Sequence, residues 1–184
     1  MIIVITRPDF FADEAERIVG LFDRGNVDLV HIRKPLDGMS GRENLRDMEN
    51  LIRALPTGLY DRFVVHDNFE LAVRYGLRGV HLNRRNPQAP DGWKGTVSIS
   101  CHSLAELTEC RKHDYTYMSL SPIFDSISKQ GYRSAFTREQ LEVARDEGII
   151  DTRVMALGGV TFERVSEVER MGFGGSMILG DAWR

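Results

Sequence analysis

Apolar positions follow two rhythms along this chain. Short runs rich in β-branched residues recur at IIVIT (2–6), VDLVHIRK (27–34), FVVHD (63–67), GVHL (79–82), TVSIS (96–100), YTYMSLS (115–121), RVMAL (153–157) and GSMIL (175–179). They are short and nearly continuous in apolar character, as strands covered on both faces are. Between most of them, apolar residues return at helical spacing. Ala15, Ile18, Val19 and Phe22 mark one face over residues 12–24; Leu45, Met48, Leu51 and Ile52 mark another over 40–55, with Ser40 placed as its N-cap. Residues 68–75 predict a short third helix. Ser103 with Glu106, and Thr137 with Gln140, have capping-box spacing. They open helices at 103 and over 138–147. Thr161 opens the last helix, which ends near Gly172.

Strand and helix in alternation predict a parallel sheet with helical crossovers. Eight repeats favour a closed (β/α)8 TIM barrel over an open doubly wound sheet. No Gly-x-Gly-x-x-Gly follows the first strand, which argues against dinucleotide binding. The pattern predicts one domain over residues 1–184. Residues 83–95 (NRRNPQAPDGWKG) read as loop where a fourth helix would stand, and the usual final helix is lacking. Without it, apolar surface on the first and last strands is expected to face water, and such a patch finds a partner. The expected assembly is a homodimer.

Bulk composition narrows the class. A chain of 184 residues is about one domain and removes roughly 70% of its unfolded surface. Its net charge of −3 gives no reason to expect nucleic-acid binding. Cys101 and Cys110 are too few for a disulfide framework or a zinc site, so a reducing cytoplasm is the expected location. No apolar run approaches the ~20 residues that span a membrane. MIIVITRPDF lacks the basic flank of a signal peptide.

A barrel of this kind carries its site at the C-terminal ends of the strands. Polar residues gather at those ends here. His31, Arg33 and Lys34 close strand 2; His66, Asp67 and Asn68 close strand 3; His81, Asn83 and Arg84 follow strand 4. Ser100, Cys101 and His102 close strand 5. Strand 6 runs into SPIFDSISKQG (121–131), with Ser126, Ser128 and Lys129. Gly158-Gly159 end strand 7 and Gly180-Asp181 end strand 8. Taken singly, a histidine is a hydrogen-bonded structural group, Asp67 a helix cap, Arg84 and Arg85 a solvated face, and Gly158-Gly159 a plain turn. Their shared location is what points to a site. Glycine turns let backbone N–H groups approach phosphate oxygens, and the helix from Thr161 would aim its positive end nearby. Gly158, Gly159 and Gly180 are therefore the candidate phosphate cradle. Arg33 and Lys129 suit a second anionic group, and Asp67 offers a hard oxygen for Mg²⁺.

The order of these segments resembles the thiamine phosphate synthase/TenI family over nearly the whole chain. HIRKP (31–35) is similar to that family's Gln-Leu-Arg-Glu-Lys; VVHDNFELAVRYGLRGVHL (64–82) to its Asn-Asp-Arg…Gly-Val-His-Leu block; SISCHS (98–103) to its Gly-x-Ser-x-His-Ser turn. SPIFDSISKQG is similar to its Pro-x-Phe-x-Thr-x-Thr-Lys loop, and ALGGV (156–160) to its Ile-Gly-Gly-Ile turn.

The resemblance implies a (β/α)8 barrel that joins hydroxymethylpyrimidine diphosphate to thiazole phosphate, releasing pyrophosphate with the help of Mg²⁺. It implies that Arg33 and Lys129 hold pyrophosphate as catalytic residues and that Asp67 binds the metal. It further implies that Ser100 faces pyrophosphate, that Ser126 and Ser128 lie in the substrate loop, and that Gly159 and Gly180 meet the thiazole phosphate. His31 and His66 stand where the family has glutamine and asparagine, and join the substrate-binding candidates. Pro35, Asn68 and Leu179 replace the family's lysine, arginine and serine. Asn86 replaces its second metal aspartate, which lowers the site's negative charge. The related TenI-type isomerases of thiazole phosphate use a histidine that falls on Pro122 here. A metal-independent isomerase and a non-catalytic binder of thiamine-related phosphates stand as alternatives, and His31, His66, His81 and His102 as further acid–base candidates.

Overall fold

The structure, a computed structural model, describes residues 1–23, 26–36, 38–125 and 134–184. Its strands are β1 (Ile2–Ile5), β2 (Leu29–Ile32), β3 (Phe63–Val65), β4 (Gly79–Leu82), β5 (Thr96–Cys101), β6 (Tyr117–Leu120), β7 (Val154–Leu157) and β8 (Gly175–Ile178). They are ordered β1 to β8 as a closed parallel barrel. Its α-helices are α1 (Glu14–Asp23), α2 (Gly41–Ala54), α3 (Phe69–Tyr75), α4 (Leu104–Cys110), α5 (Arg138–Asp146) and α6 (Val165–Arg170). Among the described residues no helix joins β4 to β5, as the Pro- and Gly-bearing 83–95 segment predicts.

Two compact units make up the chain. In residues 5–96, β3 lies between β2 and β4, with His31 opposite Val64 and Val65 opposite Val80. Helix α2 begins at a complete capping box: Ser40 Oγ accepts from the Glu43 N–H, and the Glu43 carboxylate accepts from the Ser40 N–H at 3.1 Å. It buries Met48, Leu51 and Ile52. On α1 the buried side is Glu14, Ile18 and Leu21. The expected face centred on Ile18 is present, rotated so that Leu21 replaces Val19 and Phe22 at its centre.

In the unit of residues 1–4 and 97–184, β8 pairs with both β1 and β7. Ser100 and Ser119 stand in register on β5 and β6. Thr137 and Gln140 form a second complete capping box before α5. The box expected at Ser103 is only half formed. Its hydroxyl accepts from the Glu106 N–H, but the Glu106 carboxylate reaches one residue further back, to the His102 N–H at 2.7 Å.

Two expectations need correction. The Thr161 helix starts as a 3₁₀ turn, Phe162–Arg164, and Thr161 makes no side-chain cap. The Asp181 carboxylate accepts the Phe162 N–H at 3.0 Å, so this helix start is already matched to an anion of its own chain. The apolar surface expected to face water on the first and last strands is covered: Ile3, Val4 and Ile5 on β1, and Met177 and Ile178 on β8, are buried within the single chain. Gly180–Trp183 forms a 3₁₀ turn after β8, with Ala182 buried.

Candidate active site

Three histidines in residues 5–96 come together. His31 lies on β2, His66 one residue past β3, and His81 on β4. All are buried. Parallel pairing sets adjacent strands about 4.8 Å apart, which puts these rings in contact. His31 Nδ1 lies 2.8 Å from His66 Nε2. His66 and His81 stack at 4.2 Å between centroids, and His31 meets His81 edge-on at 5.1 Å. Burial holds His31 and His66 well below the usual imidazole range, and His81 at about 3; neighbouring rings and the Arg33 guanidinium add to the effect. All three are neutral at pH 7.

Thr6, just past β1, fixes the backbone of Arg33. Its hydroxyl accepts from the Arg33 N–H at 2.9 Å and lies 3.3 Å from the Arg33 carbonyl. Lys34 turns the other way and is fully buried. Its ammonium donates to Glu14 at 2.5 Å and to the carbonyls of Arg7 and Asp9 at 2.9 and 2.7 Å, with the Phe10 ring 4.8 Å away. Lys34 therefore clamps the β1–α1 connection and is not a substrate group. Burial raises the Glu14 pKa and lowers that of Lys34, against their mutual hydrogen bond.

Asp67 does not cap α3. The N-cap position is Asn68, in the left-handed region at φ 51°, without a side-chain cap bond. Asn68 instead donates to Asn44 Oδ1 at 2.8 Å, and Asn44 to the Lys34 carbonyl at 3.0 Å. Asp67 Oδ1 accepts from Asn86 Nδ2 at 2.8 Å and from Arg85 at 3.3 Å. Its other oxygen, Oδ2, is buried with no hydrogen-bond partner among the described residues. A buried carboxylate oxygen left unmatched fits a hard cation.

In the other unit, Gly158 and Gly159 have φ of 92° and 64°. A Cβ on Gly158 would lie 2.7 Å from Pro122 Cα, and one on Gly159 would lie 2.4 Å from the Asp125 carbonyl oxygen. The glycines thus admit the β6 loop backbone, so their use as a phosphate cradle is not what requires them. His102 Nδ1 lies 3.2 Å from Ser121 Oγ. Ser126, Ser128 and Lys129 lie outside the described residues.

A family model described as thiamine monophosphate synthase matches residues 2–179. The chain belongs to the thiamine monophosphate synthase family. A thiamine-phosphate synthase from Shouchella clausii is 24% identical over 154 residues, covering 81% of this chain and 71% of that one. A crystal structure of thiamine phosphate pyrophosphorylase from Bacteroides thetaiotaomicron matches with a TM-score of 0.83 at 40% identity, over 99% of this chain and 84% of that one. A thiamine phosphate pyrophosphorylase from Pyrococcus furiosus, at 21% identity and a TM-score of 0.68, shares the fold.

The structure joins His31 to His66 and Asp67 to Asn86, and sets Gly158 and Gly159 against the β6 loop. Sequence reasoning missed Thr6 and Asn44, which position Arg33 and the backbone of Lys34. A threonine directly after an apolar strand was the only trace of the first. The buried Lys34–Glu14 pair left no trace in local spacing, because its partners are 20 residues apart.

Proposed function

We propose that this protein is a thiamine phosphate synthase, joining hydroxymethylpyrimidine diphosphate to thiazole phosphate with release of pyrophosphate. The observation that carries the reading is Asp67, one oxygen held by Asn86 and the other buried and unmatched at the end of β3. With it stand Arg33, its backbone fixed by Thr6, and family membership over residues 2–179.

In this reading the pyrimidine C–O bond breaks and its electron pair leaves with pyrophosphate. The thiazole nitrogen then supplies the pair for the new C–N bond. Arg33 and Lys129 hold the leaving pyrophosphate and balance its growing charge. Asp67 would hold Mg²⁺, which would supply further neutralisation of the pyrophosphate charge. Ser100, Ser126 and Ser128 donate hydrogen bonds to the diphosphate substrate; the backbone at Gly159 and Gly180 meets the thiazole phosphate. His31 and His66, buried and neutral, meet the uncharged pyrimidine rather than a phosphate. The substrates are small phosphorylated molecules. Among the described residues no helix is long and apolar enough to cross a membrane. The cytoplasmic location rests on the free thiols of Cys101 and Cys110.

The test is release of pyrophosphate by the full chain given both substrates and Mg²⁺. Release is expected in the wild type and its loss in Lys129→Ala. No release from the wild type would sink the reading. Isomerisation of a thiazole phosphate at an unchanged rate in excess EDTA would establish the metal-independent alternative, which the neutral Asn86 favours.

A further inference from the structure

We propose that His31, His66 and His81 form a binding site for a borderline transition-metal dication, Zn²⁺ or Co²⁺, separate in its ligands from the Mg²⁺ site at Asp67. One ring nitrogen from each histidine can be chosen so that all three lie within 4.8 Å of one another. The rings come from β2, the end of β3 and β4, consecutive strands of one hydrogen-bonded sheet. Strand backbones hold ligands more firmly than loops do.

Donor chemistry selects the metal class. Imidazole nitrogen suits zinc, copper, nickel and cobalt, whereas Mg²⁺ takes oxygen. Three protein nitrogens leave a fourth tetrahedral position for an exogenous ligand. Metal binding uses the neutral imidazole, so affinity should fall as the pH is lowered. The main chain at His66 is fixed: its backbone N–H donates to the Ile32 carbonyl at 3.2 Å, and its backbone carbonyl accepts from Asn83 Nδ2 at 3.0 Å and Asn86 Nδ2 at 3.3 Å. Barrel interiors are ordinarily filled by Val, Ile and Leu. Three buried imidazoles in mutual contact offer a ligand chemistry that aliphatic residues lack.

Two features set the terms of binding. His66 and His81 are stacked, at 29° between planes, so their nitrogens converge on one ion only after a rotation about χ2, a soft torsion. The His31–His66 hydrogen bond is then replaced by two metal–nitrogen bonds. Arg33 and Arg85 also make the surroundings of His66 electropositive. Hydroxide as the fourth ligand would offset part of that positive charge. This inference does not rest on the synthase reading, and its test uses no substrate.

The experiment is titration of EDTA-stripped, dialysed full-length protein with Co²⁺, followed by visible absorption. The expected result is one Co²⁺ per chain, with the intense visible bands of a tetrahedral site, bleached by one equivalent of Zn²⁺. His31→Gln and His66→Asn should each weaken binding by more than about 100-fold, beyond the roughly 10–100-fold of a lost supporting contact. Asp67→Asn should leave the bands unchanged. A parallel measurement needs no variant: histidine side-chain ¹⁵N spectra of the wild type with and without Zn²⁺. Shifts of the three buried rings support the site. Absent cobalt bands, bands lost only in Asp67→Asn, or shifts confined to His102 and His113 would overturn it.

Discussion

Asn86 Nδ2 donates to Asp67 Oδ1 at 2.8 Å, so an amide fills the place beside a carboxylate whose second oxygen is buried without a partner among the described residues. This pair sets the charge of the candidate Mg²⁺ site at a single carboxylate. Asn86→Asp should tighten Mg²⁺ binding by at least about tenfold, the ~1.4 kcal/mol one added carboxylate supplies after screening. Without metal the same change should destabilise the fold by about 1–3 kcal/mol, because two carboxylates then face each other and the His66 carbonyl loses a donor. Calorimetric titration with Mg²⁺ and urea unfolding in EDTA measure the two arms. Equal Mg²⁺ affinity in both proteins would refute the assignment of Asp67.

Gly159→Ala should destabilise the protein by about 2–4 kcal/mol. Its φ of 64° opposes a side chain, and the added Cβ would lie 2.4 Å from the Asp125 carbonyl oxygen. Gly20→Ala, in the body of α1 with open space around it, should be stabilising by about 0.5–1 kcal/mol. Chemical denaturation of both variants checks the contrast. A neutral Gly159→Ala would show that the β6 loop yields freely.

Lys34→Met should cost about 3–5 kcal/mol by stranding the Glu14 carboxylate, whose side chain is 3% exposed. Adding Glu14→Leu should recover most of that loss, since an apolar pair replaces a buried ionic one. A double-mutant cycle on unfolding free energies reads this directly. A double variant no more stable than Lys34→Met alone would mean that the carbonyls of Arg7 and Asp9, not Glu14, set the need for the ammonium.

Acid should weaken the fold through the histidine cluster. His81 takes a proton at about 3 in the fold and near 6.5 in the unfolded chain. Between those values the unfolded chain binds more protons, so stability rises with pH there and is level above about 6.5. In EDTA-treated protein, acidification from pH 6.5 should remove up to ~1.4 kcal/mol per pH unit for each such histidine. His81→Asn should flatten the slope of urea midpoint against pH; parallel slopes would contradict the assignment.

Strand and helix positions were largely legible because each rests on local chemistry. Apolar runs marked all eight strands, and Ser40 and Thr137 marked helix starts through caps three residues long. Gly158-Gly159 was legible as a turn, but the Pro122–Asp125 backbone that fills its space is more than 30 residues away. The histidines were visible one by one. Two cysteines argue against a zinc site, yet His31, His66 and His81 stand on or just past neighbouring strands at intervals of 35 and 15 residues, which only strand register brings together.

The sequence alone determined the alternation of strand and helix, the barrel class and the polar strand ends, since periodicity and capping act over a few residues. Only the tertiary structure decided that Lys34 is a buried clamp, that Asp67 keeps one unmatched oxygen, and that three histidines share one interior. Those outcomes depend on strand register and burial, which fix distances and remove water between residues that the chain itself keeps far apart.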